Sequence, residues 1–132
     1  MAHTVERIRE ISALIFGLAF IWIGLQHFTN VEFFLPIVPE IIGNPTFWVY
    51  LSGIVEIGLG VGLILRFSRK ATGIATAIFL VIVYWANFNM WINDIAIDGN
   101  RFSNQAHVAR ALAQVAMIGF ALWIADVKKK SV

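Results

Sequence analysis

The chain has 132 residues, of which 59% are hydrophobic and 14% are charged, and its formal net charge is +2. Soluble domains have roughly 45–50% apolar and about 25% charged residues, so this chain has too few polar side chains to cover a water-soluble fold. The absence of cysteine excludes disulfides, thiol relays and thiolate metal sites. The basic residues stand in short runs at the ends of apolar segments, which indicates membrane orientation and no nucleic-acid partner.

Four apolar segments follow one another along the chain, at 8–28, 46–65, 71–92 and 107–125. Each is close to the ~20 residues that an α-helix needs to cross ~30 Å of hydrocarbon. Separate apolar segments satisfy their backbone hydrogen bonds in lipid only as helices. The sequence therefore predicts an all-α fold with a single membrane domain over residues 1–132. We expect a transmembrane, left-handed four-helix bundle with antiparallel neighbours.

Basic residues mark one side of this bundle. Eight of the ten lie in the N-terminal segment, the short second loop and the tail, namely Arg7, Arg9, Arg66, Arg69, Lys70, Lys128, Lys129 and Lys130. The first loop, 29–45, has none, and in the third loop Arg101 is set against Asp94 and Asp98. By the positive-inside rule, the N- and C-termini are predicted to be cytoplasmic. We expect a multi-pass protein of the plasma (inner) membrane, in contact with the lipid bilayer.

Glu56 is the acidic residue placed deepest in an apolar segment. It lies ten residues into the second segment, hence about 15 Å down at ~1.5 Å per residue, near the midplane. Membrane-insertion scales put the free-energy cost of an ionisable side chain at this depth at roughly 2.5–3.5 kcal/mol. A residue placed there at such a cost is a candidate for a functional role. We expect Arg110, near the start of the fourth segment, to be its partner. Gln114 is one turn deeper on the same helix face.

The other polar residues within or beside the segments gather at one depth. With the N-terminus inside, the outer ends of the four segments carry Gln26, His27, Asn87, Asn89, His107, Arg110 and Gln114, with Glu56 beneath them. The inner half has only Ser12, Thr72 and Thr76. This asymmetry predicts a polar pocket in the outer half of the bundle, open to the outer leaflet or outer water, with a carboxylate as its floor.

The pocket is predicted to bind a lipophilic small molecule. The candidate ligand-binding residues are Glu56, His27, Gln26, Asn87, Asn89, Arg110, Gln114 and Trp91. A quinone is the candidate ligand, because its carbonyl oxygens accept hydrogen bonds from His27, Asn87 or Arg110 while Glu56 passes a proton. Its ring would be flanked by Trp22, Phe28, Phe88 and Trp91. Haem ligated by His27 and His107 is a weaker alternative, because ligands at that depth leave the porphyrin half exposed. No metal site is predicted.

The same segments carry a family resemblance. They are FIWIGLQHFTN at the end of the first segment, IVPEII in the first loop, YLSGIVEIGLGVGLIL with the following SRK, and YWANFNMWIN in the third segment. Together with Arg110 and Gln114, their order and spacing resemble the DoxX-like family of small four-span membrane proteins over roughly residues 12 to 125. That family often has a proline where this chain has Trp85, so the third helix is expected to be straighter.

The resemblance implies a small subunit of an oxidoreductase or respiratory assembly, since the family takes its name from a subunit associated with a quinol oxidase. It implies that Glu56, His27, Asn87 and Arg110 form the shared polar site. It leaves open whether any reaction is catalysed. The alternative is a non-catalytic accessory or assembly factor for a partner membrane protein, in which the polar cluster is purely structural. A small transporter or proton path is the third possibility, although the inner half lacks ionisable groups for a relay.

Overall fold

The computed structural model describes residues 2–97 and 99–126. In chain order it contains five α-helices: α1 (Ala2–Thr29), the short α2 (Val31–Phe34), α3 (Pro45–Ile64), α4 (Arg69–Ile92) and α5 (Asn104–Ala125). Three short 3-10 turns lie between these helices, two between α2 and α3 at Leu35–Ile37 and Glu40–Ile42, and one between α3 and α4 at Arg66–Ser68. The described residues otherwise contain one isolated bridge, between Ile97 and Asn100, and no strand. The predicted all-α class is confirmed.

Four of these helices, α1, α3, α4 and α5, are long and apolar enough to cross a membrane. Only 22–28% of the residues in their most apolar stretches are buried inside the chain. Large apolar side chains therefore cover the outer surface, among them Ile15, Ile82, Leu112 and Val115, each at least 63% exposed. An apolar surface of this extent is unfavourable in water and favourable in lipid. The chain is a multi-pass helical membrane protein, as predicted.

The helix bounds agree with the predicted segments, with two extensions. α1 begins at Ala2, ahead of the predicted start at residue 8. Just inside the predicted segment, Arg9 is buried beside the end of α5, where its Nε donates to the carbonyl of Trp123 at 3.0 Å. α5 begins at Asn104 because the Ser103 hydroxyl accepts a hydrogen bond from the Ala106 amide and caps the helix.

Small residues bring α1 and α3 into close contact. A Cβ added to Gly60 would lie 2.5 Å from the carbonyl oxygen of Gly17, and one added to Gly53 would lie 3.0 Å from that of Gly24. The two contacts proceed in opposite directions along the two helices, so α1 and α3 are antiparallel. Backbones approach this closely only where side chains are absent. The absence of side chains at Gly17, Gly24, Gly53 and Gly60 therefore allows the close contact between α1 and α3.

At the end of the molecule where the cytoplasmic loop is predicted, hydrogen bonds join α4 to α3, and an ion pair joins the loop to α1. Buried Arg69 donates from Nε and Nη2 to the carbonyls of Leu63 and Ile64 at 2.9 and 3.0 Å. These carbonyls end α3 and have no partner within the helix. Arg66 pairs with Glu10 of α1. The basic residues of this loop thus also join helices. Lys128, Lys129, Lys130 and Asp98 lie outside the described residues.

Candidate functional site

A folded connection covers the other end of the molecule. Residues 31–42, here called the strap, contain α2 and two 3-10 turns between α1 and α3. Asn89 Nδ2 of α4 donates to the carbonyl of Ile37 at 3.0 Å, and Trp48 Nε1 of α3 donates to that of Ile42 at 3.3 Å. The ring of Phe34 stacks on His27 with centroids 3.9 Å apart. The strap is therefore fixed to α1, α3 and α4.

Beneath the strap, the four long helices line a cavity of about 590 Å³. This is within the ~300–1,000 Å³ of ordinary small-molecule sites, which combine apolar walls with a few polar groups. Its polar lining comes from all four helices and consists of His27, Ser52, Glu56, Asn87, Arg110 and Gln114. Most other lining residues are apolar or aromatic, including Phe20, Phe34, Trp48, Trp85 and Met117.

His27 and Glu56 form the first polar group of the cavity. The Nε2 atom of His27 lies 3.7 Å from Oε2 of Glu56, and both side chains are 10% exposed. His27 Nδ1 lies 2.8 Å from the carbonyl oxygen of Ile23. A carbonyl only accepts, so Nδ1 carries the hydrogen and Nε2 faces the carboxyl group. One proton between Nε2 and Glu56 gives zero net charge at either location, which suits a low-dielectric site.

Asn87 and Arg110 form the second polar group. Arg110 Nη2 of α5 donates to Oδ1 of Asn87 on α4. The Nε atom of Arg110 is buried and has no hydrogen-bond partner among the described residues. The guanidinium also lies 5.9 Å from the ring of Phe102. A buried N–H without an acceptor costs about 1–3 kcal/mol, so an oxygen atom of a bound molecule would be stabilised there.

Gln114 lies in the cavity wall, and its amide nitrogen already has a hydrogen-bond partner. It is 7% exposed, and its Nε2 donates to the carbonyl oxygen of Leu80 at 2.7 Å. This bond crosses from α5 to α4 one helical turn below Arg110. The bond joins α4 and α5 beside the cavity. The amide oxygen of Gln114 is then the polar atom that this residue can offer to the cavity.

The cavity reaches the outer surface of the protein along α4. Its lining includes Ile82 and Trp85, which are 63% and 48% exposed. These side chains belong to the apolar surface that contacts lipid, so the cavity has a lateral, lipid-facing side. Trp85 stands where the resemblance places a proline. α4 continues as a helix through this residue to Ile92.

A second cavity of about 560 Å³ lies against the strap. It shares Val38, Pro39 and Trp85 with the first cavity. Its remaining lining is more polar and includes Glu40, Asn89 and Asn93. These three shared residues lie between the second, more polar cavity and the first, mostly apolar cavity.

The structure brings together five of the eight predicted ligand-binding residues: His27, Glu56, Asn87, Arg110 and Gln114. Asn89 lines the second cavity instead. Trp91 donates to Oδ1 of Asn104 at 3.2 Å and stacks on His107 at 5.5 Å, outside both cavities. Gln26 is partly exposed outside both linings. Whether any of the eight residues binds a ligand stays a prediction.

One predicted pairing is wrong. Among the described residues, Glu56 forms no ion pair with Arg110, because Glu56 faces His27 and Arg110 faces Asn87. The partners depend on how the helices are rotated about their axes, which segment positions do not determine. Placing His27 on the Glu56 side would have required knowing the α1–α3 contact. The shared depth of these residues was sufficient to place them in one cavity.

The aromatic lining also differs from the prediction. Trp22, Phe28, Phe88 and Trp91 all lie outside the cavity, and Trp22 is 64% exposed. Aromatic residues of the strap, α1, α3 and α4 take their place, namely Phe20, Phe33, Phe34, Trp48, Phe79 and Trp85. Ser52 was missed, although its position one turn before Glu56 puts it on the same helix face. His107, proposed as a haem ligand with His27, is buried against Trp91 outside the cavity.

Taken together, four membrane-length helices and an internal cavity with two polar groups define a small multi-pass membrane protein with a candidate ligand site. The chain matches the model of the family described as "Domain of unknown function (DUF8561)" over residues 16–125, and it belongs to that family. No curated protein and no solved structure matches the chain.

Proposed function

We propose that this protein binds a quinone-like or other lipophilic ligand in the cavity and serves as a small subunit of an oxidoreductase or respiratory assembly. One observation carries the proposal: a cavity of about 590 Å³ combines mostly apolar walls with six polar side chains from four helices. The size and the composition are those of a small-molecule site. The resemblance to the DoxX-like family points to the same kind of assembly.

The two polar groups suit the two ends of a quinone ring. A quinone carbonyl accepts hydrogen bonds, and the Nε of Arg110 is a buried donor with no acceptor in the part of the chain that the structure describes. On the other side, the His27–Glu56 pair is placed to give or take one proton when the bound ring changes its protonation state. The wall between them is apolar and aromatic, which favours a ring.

We further propose that the four long helices form a left-handed bundle with both termini cytoplasmic. The antiparallel α1–α3 contact supports the bundle. Arg7, Arg9, Arg66, Arg69 and Lys70 support the orientation under the positive-inside rule. In this orientation the strap and both cavities lie in the outer half of the membrane.

The second candidate function is a non-catalytic accessory or assembly factor. Its support is that several polar side chains of the site already bond other helices or the strap, as Gln114 does to Leu80 and Asn89 does to Ile37. Such bonds stabilise membrane helix contacts by roughly 0.6–2 kcal/mol each. On this account the cavity walls hold the helices in register, and a partner membrane protein covers part of the lipid-facing surface.

Quinone titration of the purified protein in lipid nanodiscs separates the two candidates. Trp48 and Trp85 line the cavity, so a bound quinone would quench their fluorescence. We expect saturable quenching by decylbenzoquinone, weakened about tenfold by Glu56→Gln, a loss of about 1.4 kcal/mol. Glu32→Gln, at an exposed strap position outside both cavities, is the matched control. Unsaturable quenching, or equal binding by Glu56→Gln, contradicts the proposal. A lower melting temperature with unchanged ligand response supports the accessory function.

A further inference from the structure

The titratable side chains of the cavity form two separate groups. Its titratable lining residues are His27, Glu56 and Arg110. His27 and Glu56 face each other, whereas Arg110 has no carboxylate within 4.0 Å among the described residues. Asn87, a neutral acceptor, takes one N–H of the guanidinium, and the buried Nε–H is left over. The unused hydrogen-bonding capacity of Arg110 is therefore that of a donor.

The lateral side of the cavity lies close to that donor. Ile82 and Trp85 are exposed cavity residues of α4, and Asn87 follows on the same helix. At ~1.5 Å per residue, Ile82 and Asn87 are about 7.5 Å apart along the helix axis. A ring-sized or smaller head group at Arg110 thus lies within two helical turns of the lipid-facing side. The bonds from Asn89 and Trp48 fix the strap over the top of the cavity.

We infer that the site takes a single-chain amphiphile whose head oxygen accepts the Nε–H of Arg110 and whose chain leaves sideways past Ile82 and Trp85 into the lipid. This inference rests on the proposed ligand-binding function and narrows it to tailed molecules. A cavity of about 590 Å³ holds a drug-sized head. A long alkyl or isoprenoid chain exceeds that space and is soluble in the adjoining hydrocarbon. Arg110 selects the head, and the α4 opening selects the tail.

Two quinones with one ring test the tail: decylbenzoquinone and its tail-less parent, 2,3-dimethoxy-5-methyl-1,4-benzoquinone. Affinities are measured in nanodiscs as mole fractions in the membrane, so that partitioning is removed. Ile82→Trp fills the opening and is expected to weaken decylbenzoquinone about tenfold while leaving the tail-less ring within about twofold. Val81→Trp adds the same bulk at an equally exposed neighbour that is 60% exposed and outside the cavity, and should change neither affinity.

Arg110→Gln tests the head. It is expected to weaken both quinones about tenfold. Arg101→Gln, which removes an exposed loop arginine paired with Asp94, should leave both affinities unchanged. Melting temperatures of all variants show whether a lost affinity reflects unfolding. If Arg110→Gln is poorly folded, Arg110→Lys, which keeps the charge without the Nε–H, is expected to show the same loss.

These experiments distinguish a failure of the tailed-ligand inference from a failure of the proposed ligand-binding function. Equal losses for both quinones with Ile82→Trp, or an unchanged decylbenzoquinone affinity in that variant, would overturn the lateral tail while the ligand site stands. Retained affinity in folded Arg110→Gln would overturn the head contact. Absence of saturable binding by either quinone would contradict the proposed function itself.

Discussion

At the scale of single residues, His27 is the most constrained group of the site. Its Nδ1–H donates to the carbonyl oxygen of Ile23, and the ring of Phe34 stacks on the imidazole. Its Nε2 faces the carboxyl group of Glu56. Three separate contacts thus determine the tautomer and the ring plane. Such positioning is what a proton-exchanging histidine requires, because the second nitrogen then has a defined direction.

Phe34 is therefore expected to act on the ligand through His27. Phe34→Leu removes the stacked ring and keeps an apolar side chain, so the His27 imidazole gains freedom to turn away from Glu56. We expect decylbenzoquinone affinity to fall about threefold to tenfold while the melting temperature changes little. Phe33→Leu is a demanding control, since Phe33 also lines the cavity but has no stacking contact with His27. Equal losses in the two variants would argue against the positioning role.

Asn87 is expected to matter for stability as well as for the site. Asn87→Leu removes the acceptor of the Arg110 Nη2 hydrogen bond and leaves a second, partly buried donor unsatisfied. The expected loss in free energy of unfolding is about 1–3 kcal/mol, measured by thermal or denaturant unfolding in detergent. Asn30→Leu, at an exposed position whose side chain makes no capping bond, should change stability by less than about 0.5 kcal/mol. Similar losses at both positions would contradict this account.

At the scale of elements, the α1–α3 contact depends on particular glycines. Alanine normally stabilises a helix relative to glycine by roughly 0.5–1 kcal/mol. Gly60→Ala is expected to reverse that sign, because the added Cβ would lie 2.5 Å from the Gly17 carbonyl oxygen. Overpacking of this kind costs about 1–3 kcal/mol.

Gly58→Ala provides the matched control for that substitution. It adds the same methyl group two residues away on α3, where, apart from the adjacent residues and the backbone of α3 itself, no atom lies within 4 Å of the added carbon. We expect Gly58→Ala to leave the melting temperature unchanged or to raise it, and Gly60→Ala to lower it. Equal effects of the two substitutions would show that the α1–α3 contact is looser than described.

The elements also show how far sequence reasoning extends. Apolar length alone locates α3 and α4 to within two residues, because hydrocarbon thickness sets helix length. The cost of polar groups in lipid singles out Glu56, which lines the cavity. The rotation of each helix, which decides that Glu56 meets His27, depends on side-chain packing between distant segments. The strap escapes hydropathy analysis as well, since its helical turns are too short to show a period.

At the scale of the whole molecule, the predicted orientation is directly testable because the chain contains no cysteine. Single cysteines at Arg7 and Lys70 are expected to react with a membrane-impermeant maleimide only after the cells are permeabilised. Cysteines at the exposed Glu32 and Arg101 should react in intact cells. Labelling of all four positions from one side would be incompatible with the four crossings, and the reverse pattern would contradict the cytoplasmic termini.

Native mass spectrometry of the protein, extracted gently from its own membrane, is the most direct test of a ligand in the cavity. An absorption spectrum of the same sample identifies the chromophore. We expect a bound lipophilic molecule of fixed mass with a single alkyl or isoprenoid tail, present in the native protein and in Arg101→Gln but depleted in Arg110→Gln. A chain without such a molecule, or one that carries only a partner protein, would contradict ligand binding and favour the accessory function.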